Sequence, residues 1–330
     1  MTRDTVDILR EPLTLPCGLT LKNRLVKAAM TEGLAAPDGL PNEKHVRLYR
    51  TWAEGGPAAL ITGNVMVDGS HLERPGNVIL DRTLTEAERA RFRAWAEAAS
   101  ANGCQVWMQL SHSGRQTQKR INPRPKSASD VALRIPGGLF ARPQPLTADE
   151  IGQVVDRFAA AAAQAQACGF SGIQVHAAHG YLISQFLSPA VNRREDAWGG
   201  PLENRARLLR TIVAAIKAST GAGFAVTVKL NSSDFQKGGF APDDARQVVR
   251  WLAEDGVDLI ELSGGTYEQP KMLELEGLEP AQQIAVRAST RAREAFFLDF
   301  AAELKRQLTV PLMVTGGFRS ARGMVHAVGD

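Results

Sequence analysis

A helix-forming segment that ends at glycine, followed at once by a short apolar run, recurs along this chain of 330 residues. The pattern occurs in "WAEGGPAALITG" (52–63), "SANGCQVWMQL" (100–110), "QACGFSGIQVHA" (166–177) and "AEDGVDLIELSGG" (253–265). Glycine closes a helix because it adopts the left-handed conformation without steric cost, and a continuous apolar run is typical of a strand that is buried on both faces. Strands that alternate with helices in this way predict an α/β fold with a parallel sheet.

The spacing of this pattern predicts seven strands and six helices. The strands are expected at 24–28, 58–62, 105–110, 172–176, 225–230, 258–263 and 311–315. The helices are expected at 44–54, 85–101, 148–168, 202–219, 241–255 and 288–307. Thr147 and Glu150 are spaced as a capping box at the start of the third helix. Before the first strand, "PLTLPCGLTLKNR" predicts two short strands around a turn, placed as a lid under a barrel.

Two long connections interrupt the alternation, at 111–146 and 264–287. Long connections inside a compact domain usually carry function, so we expect substrate selection to depend on these two segments. No shift in composition marks a second domain, and we therefore predict one domain over residues 1–330.

The composition argues against several kinds of partner. The net charge of +4 comes from dispersed Lys and Arg without a basic run, so nucleic acid is not expected as a partner. Neither a signal peptide nor an apolar run of about 18 residues is present, so no membrane span is predicted. Cys17, Cys104 and Cys168 lie far apart, which suggests neither a disulfide framework nor a zinc site. We expect a cytoplasmic protein.

Polar residues or glycines stand at the end of each predicted strand. They are Met30-Thr31, Thr62-Gly63-Asn64, Gln109, His176, Lys229, Ser263-Gly264-Gly265 and Thr315-Gly316-Gly317. The carboxyl ends of the strands are where an α/β barrel builds its active site. The sequence therefore predicts one shared pocket at this end.

The segment "HAAHGY" concentrates three functional side chains directly after the fourth strand: His176, His179 and Tyr181. Two histidine donors could hold one carbonyl oxygen while the phenol delivers a proton. Two alternatives remain open. The histidines could be metal ligands, although no partner with suitable spacing is present, or a buried pair satisfied by hydrogen bonds.

Two further strand ends are informative. Lys229 follows the apolar run "AVTV", and a buried ammonium needs an anion or a strong acceptor nearby. The alternative is a lysine that extends from the edge of the strand to water. Gly316 and Gly317 precede a predicted helix start, where free backbone N–H groups bind phosphate, although two glycines also form ordinary turns.

With these residues assembled, the chain resembles the Old Yellow Enzyme family of FMN-dependent ene-reductases. The resemblance extends from "LKNRLVKAAMTEG" to "PLMVTGGFRS". Its most specific part is "HAAHGYLISQFLSPAVNRREDAWGGPLENR" (176–205). The family implies a (β/α)8 TIM barrel that binds FMN.

The resemblance implies a role for each matching position along the flavin ring. Ala29 and Met30 should line the ring with their backbone, and Thr31 should hydrogen-bond the O4 edge. Gln109 should contact the pyrimidine edge, and Lys229 should face N1 and O2. Lys229 stands where the family more often has Arg.

The remaining implied roles concern the substrate and the phosphate. His176 and His179 should bind the carbonyl oxygen of the substrate, and Tyr181 should be the proton donor. Gly316 and Gly317 should offer backbone amides to the FMN phosphate.

The implied reaction takes hydride from NADH or NADPH through flavin N5 to the β-carbon of a small-molecule enone or related activated alkene. The physiological alkene and the choice between NADH and NADPH are left open by the sequence. The oligomeric state is also open, and a homo-oligomer is compatible with it.

The family pattern continues past the position of Asp330 with an eighth strand, a Gly-Arg pair and a closing helix. We therefore expect a truncated barrel that binds FMN weakly or is poorly soluble. One alternative function is a 2,4-dienoyl-CoA reductase or amine dehydrogenase relative, which would carry a C-terminal iron–sulfur domain. The other is an inactive truncated barrel without flavin.

Overall fold

All seven predicted strands are present in the computed structural model, which describes residues 5–269 and 296–329. They are Val26–Lys27, Ala59–Ile61, Gln105–Ser111, Gly172–Ala177, Ala225–Asn231, Leu259–Ser263 and Leu312–Val314. Neighbouring strands are parallel and pair in chain order. The curled sheet that results matches the predicted (β/α)8 barrel class, with every strand pointing its carboxyl end to one side.

Helices occupy the six segments between these strands, as predicted, and a further helix follows the last strand. They are Glu43–Glu54, Glu86–Ala99, Ala148–Ala167, Leu202–Ser219, Pro242–Glu254, Leu298–Lys305 and Ala321–Gly329. The predicted capping box of the third helix is confirmed, because Thr147 accepts from the backbone of Glu150 while Glu150 bonds back to Thr147. The sixth prediction, 288–307, is confirmed over Leu298–Lys305, and its first residues lie outside the described part of the chain.

The core lies between the sheet and the helices. Apolar residues of the helices, such as Phe158, Leu209 and Val248, pack in one buried cluster with strand residues such as Val175 and Val228. Within the ranges 5–269 and 296–329, no helix combines the length and apolar character needed to cross a membrane.

The N-terminal segment forms the predicted lid. Leu13–Thr14 and Thr20–Leu21 pair as antiparallel strands. Leu15 and Leu21 then pack against Ala58, Ala225 and other residues at the amino ends of the barrel strands. The lid thus closes the side of the barrel opposite the strand carboxyl ends, and it leaves those ends free for a site.

The connection 111–146 holds more structure than the sequence indicates. It contains a 3-10 turn at Gly114–Gln116 and two short strands, Lys126–Ser127 and Gln144–Pro145, that pair with each other. Two more short strands, Val65–Met66 and Val78–Ile79, pair beyond the second barrel strand. Most of the other predicted connection, 270–287, lies outside the described residues. A short helix that was not predicted, Leu182–Leu187, begins directly after Tyr181.

Candidate active site at the carboxyl ends of the strands

Strand register places the predicted site residues side by side. His176 of the fourth strand is directly opposite Lys229 of the fifth, and Lys229 is opposite Glu261 of the sixth. Gln109 of the third strand is opposite Gln174 of the fourth. One polar layer therefore crosses four neighbouring strands near their carboxyl ends.

A chain of buried hydrogen bonds runs across this layer. Gln109 Nε2 donates to Gln174 Oε1 at 2.7 Å, and Gln174 Nε2 donates to Glu261 Oε2 at 2.7 Å. The other carboxylate oxygen of Glu261 lies 3.0 Å from Lys229 Nζ and accepts from Thr315 Oγ1 at 2.5 Å. These bonds hold the Gln109 amide and the Lys229 ammonium in fixed positions.

Lys229 has a charged partner inside the chain. Its side chain is 5% exposed and that of Glu261 is fully buried, so the alternative of a lysine extending to water is wrong. An anion near this ammonium was one of the two alternatives that the sequence left open, and Glu261 is that anion. The signal was present in "DLIELS", where one acid interrupts an apolar run that is otherwise typical of a buried strand.

A second polar network lies beside the first strand and centres on Glu73. Glu73 Oε2 accepts from Thr31 Oγ1 at 2.8 Å and from Asn64 Nδ2 at 2.7 Å. The carbonyl oxygen of the same Asn64 amide lies 2.9 Å from His176 Nδ1. Glu73 comes from the connection after the second strand, and no periodicity in that connection points to it.

The histidine pair is continuous with this network, with His176 buried and His179 half-buried. His176 Nε2 lies 3.3 Å from His179 Nδ1, and His179 Nε2 lies 2.7 Å from Ser263 Oγ. Burial, together with the positive field of His179 and Lys229, holds the pKa of His176 well below its usual value. Burial and the Lys229 charge lower the pKa of His179 to about 3. Both rings are therefore neutral at physiological pH.

His179 is held by its backbone as well as by its ring. It has a φ of 60°, in the left-handed region that a residue with a side chain rarely adopts, and its N–H donates to Asn231 Oδ1 at 3.1 Å. This kink turns the chain back at the strand end, so that His176 and His179 face each other. The hydrogen bonds of the two rings agree with the alternative of a pair that is satisfied within the protein. Their position at the carboxyl end of a strand agrees equally with an active site.

Tyr181 packs against His176, with ring centroids 4.5 Å apart. Its hydroxyl lies 3.0 Å from the hydroxyl of Tyr267, a residue that sequence reasoning missed. Burial is the main cause that raises the pKa of Tyr181 well above its usual value, and the neighbouring Tyr267 and Glu73 add to it. Tyr181 is therefore a protonated phenol at neutral pH, as a proton donor must be.

A cavity of about 750 Å³ opens next to this phenol pair. Its lining includes the polar residues Tyr267, Glu73 and Arg74 and the apolar residues Leu139 and Phe140. Leu139 and Phe140 belong to the connection 111–146 that was predicted to select the substrate.

The other predicted cofactor residues frame the same end of the sheet. Ala29 and Thr31 are half-buried, while Met30 is 55% exposed, although it follows a barrel strand. Gly316 and Gly317 have φ values of 96° and 81°, follow Thr315 and precede the helix at Ala321. Positive φ values favour glycine at both positions, and the two glycines lie just before a helix start, where free backbone N–H groups can bind a phosphate.

This donor set fits FMN. The Lys229 ammonium and the Gln109 amide each have N–H donors beyond the bond described above, as carbonyl oxygens along a flat ring require, and glutamine also accepts from a ring N–H. The Thr31 hydroxyl donates to Glu73, so it can bond the ring as an acceptor or by exchanging that partner. The exposed Met30 offers apolar contact, and the glycine turn offers backbone amides to a phosphate. Thr31, Gln109 and Lys229 would hold the ring edge, Ala29 and Met30 its face, and Gly316 and Gly317 the phosphate.

A separate cluster has the composition of a metal site. Ligand atoms of Asp68, His71 and His112 all lie within 4.8 Å of one another. However, His71 Nε2 accepts from the Lys126 N–H at 2.9 Å, and His112 Nδ1 accepts from the Gly114 N–H at 3.1 Å. The remaining ring nitrogens therefore carry protons and face Asp68, so neither ring keeps a free lone pair for an ion.

The fold and the donor set are both compatible with a flavin-binding α/β barrel. The chain belongs to the NADH:flavin oxidoreductase / NADH oxidase family, whose model matches residues 9–328. This confirms the resemblance to Old Yellow Enzymes, with FMN as the cofactor and NADH or NADPH as the hydride donor of the class.

Curated relatives agree with this membership. The chain is 42% identical to NADH-dependent flavin oxidoreductase iliE of Neonectria sp. (strain DH2) over 96% of its own length. It is also 42% identical to NADH-dependent flavin oxidoreductase nadA of Aspergillus parasiticus over 93% of its length. The chain spans 43% of the Neonectria relative and 70% of the Aspergillus relative.

Solved structures share the fold. The old yellow enzyme homologue from Zymomonas mobilis superposes with a TM-score of 0.78 at 22% identity, covering 97% of this chain and 85% of that one. A 2-naphthoyl-CoA reductase complex superposes with a TM-score of 0.86 at 22% identity, covering 98% of this chain and 48% of that one.

Proposed function

We propose that this protein reduces the carbon–carbon double bond of an α,β-unsaturated carbonyl compound, using NADH or NADPH. The observation that carries the proposal is the grouping of His176, His179 and Tyr181 at the end of the fourth strand. Two neutral imidazoles lie 3.3 Å apart between ring nitrogens, and a protonated phenol packs on one of them.

FMN, when bound, supplies the hydride chemistry between the nicotinamide and the alkene. The residues of the chain supply orientation and the proton. An N–H of the histidine pair donates to the carbonyl oxygen, which makes the β-carbon more electrophilic. Tyr181 donates its phenolic proton to the α-carbon on the way to the saturated product.

Burial strengthens both contributions. His176 is 4% exposed and Tyr181 is 4% exposed, so hydrogen bonds to the substrate form away from bulk water. Because water is kept from the phenol, its proton is transferred to carbon rather than exchanged with solvent during the step.

The experiment is a turnover assay on the purified chain supplied with FMN. Oxidation of NADH and of NADPH is followed under nitrogen, with and without 2-cyclohexenone, and the saturated ketone is quantified. We expect the enone to accelerate oxidation and to be converted to cyclohexanone with one equivalent of nicotinamide consumed. Oxidation that is indifferent to 2-cyclohexenone contradicts the proposal, and turnover of a 2,4-dienoyl-CoA alone favours the alternative function given by the sequence.

A further inference from the structure

The hydrogen bonds from Ser263 to Glu73 form one continuous chain through the histidine pair. Its members in order are Ser263, His179, His176, Asn64 and Glu73, with donor–acceptor distances of 2.7, 3.3, 2.9 and 2.7 Å. Each link has a definite direction once one end is fixed, because a neutral imidazole has one N–H donor and one acceptor nitrogen.

Glu73 fixes the direction of this chain. A carboxylate can only accept, so the Asn64 amide turns its NH₂ group toward Glu73 and its carbonyl oxygen toward His176. That oxygen can also only accept, so His176 Nδ1 carries the proton. Ser111 Oγ lies 3.4 Å from the same nitrogen and acts there as a second, longer acceptor.

The tautomer of His176 in turn determines the tautomer of His179. Because His176 is neutral with its proton on Nδ1, its Nε2 is an acceptor and receives the Nδ1–H of His179. His179 Nε2 then accepts the Ser263 hydroxyl proton. The two histidines are therefore not equivalent: His179 presents an N–H and His176 presents a lone pair.

We propose that Glu73 is a positioning residue that sets the tautomers of His176 and His179, so that of the two facing ring nitrogens only His179 Nδ1 carries a proton, which a substrate oxygen can accept in place of His176 Nε2. The assignment of a substrate to this pair rests on the function proposed above, whereas the tautomers depend only on hydrogen bonds within the protein. The sequence predicts two histidine donors, whereas Glu73, acting on His176 through Asn64, makes His176 Nε2 an acceptor.

Glu73 suits this role because it is anchored on more than one side. Thr31 Oγ1 donates to the same oxygen that accepts from Asn64, and Glu73 also interacts with the Tyr181 and Tyr267 hydroxyls. Hydrogen bonds to a charged acceptor are roughly twice as strong as neutral ones, so the carboxylate outweighs any preference of the amide for the opposite orientation.

The test is ¹⁵N NMR of the full chain with labelled histidine and FMN supplied, without substrate. The shifts of the two ring nitrogens distinguish the Nδ1–H tautomer from the Nε2–H tautomer, and a His176→Ala variant assigns the signal among the six histidines. In the wild type we expect His176 to be Nδ1–H only. In Glu73→Leu, which removes the acceptor at similar volume, the Nδ1–H signal should be replaced by a mixture that includes Nε2–H.

Two variants complete the design. Glu73→Gln keeps an acceptor oxygen without the charge, so it should retain more of the Nδ1–H tautomer than Glu73→Leu and serves if the latter fails to fold. Glu268→Gln neutralises a buried carboxylate that bonds Arg115 and takes no part in the hydrogen bonds from Ser263 to Glu73, so it should leave the His176 signal unchanged. Retention of Nδ1–H as the sole tautomer in both Glu73 variants overturns the proposal.

The wild type is assayed separately with 2-cyclohexenone. A chain that shows the expected tautomers and no enone turnover contradicts the proposed function and leaves the role of Glu73 standing. Enone turnover by the wild type, together with unchanged tautomers in the Glu73 variants, supports the proposed function and contradicts the role of Glu73.

Discussion

Lys229 and Glu261 form a buried ion pair between neighbouring parallel strands, with Nζ 3.0 Å from Oε1. Gln174 and Thr315 donate to the same carboxylate, so its charge is shared among three donors. The lysine predicted to face the flavin therefore carries a counter-charge, which weakens the positive field that it can apply to a bound ring.

Replacing Glu261 by Gln should raise the reduction potential of bound FMN. The variant removes the negative charge beside Lys229 and keeps a side chain that can bond Gln174 and Thr315, so the net field at the site becomes more positive and favours the more negative reduced flavin. We expect a shift of tens of millivolts, measured by reduction in equilibrium with a reference dye. Lys229→Gln should shift the potential downward, and shifts of equal sign in both variants would contradict this account.

Replacing Tyr181 by Phe should separate the two halves of the reaction. The ring that packs on His176 is retained and only the proton is lost, so NADH oxidation with oxygen as acceptor should persist. Reduction of 2-cyclohexenone should fall by about 10²–10⁴-fold, the usual contribution of a general acid. Stopped-flow measurement of each half-reaction checks this, and an unchanged rate with the enone would remove Tyr181 as the donor.

The double variant His176→Ala, His179→Ala should impair substrate binding more than flavin binding. Removing an oxyanion donor typically costs about 10²–10³-fold in rate, since the developing charge on oxygen is left unpaired. FMN content of the purified variant should stay close to that of the wild type, because Thr31, Gln109 and Lys229 are untouched. FMN content and enone turnover are measured on one preparation of the variant. Loss of flavin with normal turnover per bound flavin would contradict the assignment of the two histidines to the substrate.

Much of the fold follows from local pattern in the sequence. Buried parallel strands need continuous apolar runs, and helices that cover them end at glycine, so strands such as Gly172–Ala177 were placed within a residue. Because an α/β barrel builds its active site at the carboxyl ends of its strands, the sequence also predicts His176, Gln109 and Lys229 as site residues. These features depend on neighbours in sequence, which a single chain displays directly.

The residues that were missed depend on distant neighbours. Glu73 reaches Thr31 and Asn64 from a connection without periodicity, and Tyr267 meets Tyr181 across 86 residues. In the sequence Glu261 is an isolated acid, and only the strand register of the folded protein places it opposite Lys229. Such pairings are fixed by barrel closure and by loop conformation, neither of which leaves a local pattern in the sequence.

Stability should fall as the pH drops below about 6.5, the usual histidine pKa. Burial lowers the pKa of His45 and of His112 to about 4 and that of His179 to about 3. Between these values and about 6.5 the unfolded chain binds more protons than the folded one, so the free energy of unfolding rises with pH and levels off above about pH 7. Urea unfolding from pH 5 to pH 8 measures this, and His45→Gln should flatten the slope; stability that increases toward pH 5 would show the opposite linkage.

The buried pair Arg115–Glu268 should matter far more to stability than an exposed pair of the same length. Arg115 Nη2 lies 2.6 Å from Glu268 Oε2, and both side chains are 2% exposed. Removing the carboxylate leaves a guanidinium without its counter-charge away from water, so Glu268→Ala should lower the free energy of unfolding by about 3–5 kcal/mol. The matched control is Asp130→Ala, which breaks a bond of 2.6 Å to Arg142 at the surface and should cost less than about 1 kcal/mol. Denaturant unfolding of both variants tests the comparison, and equal losses would mean that burial does not set the contribution of the Arg115–Glu268 pair.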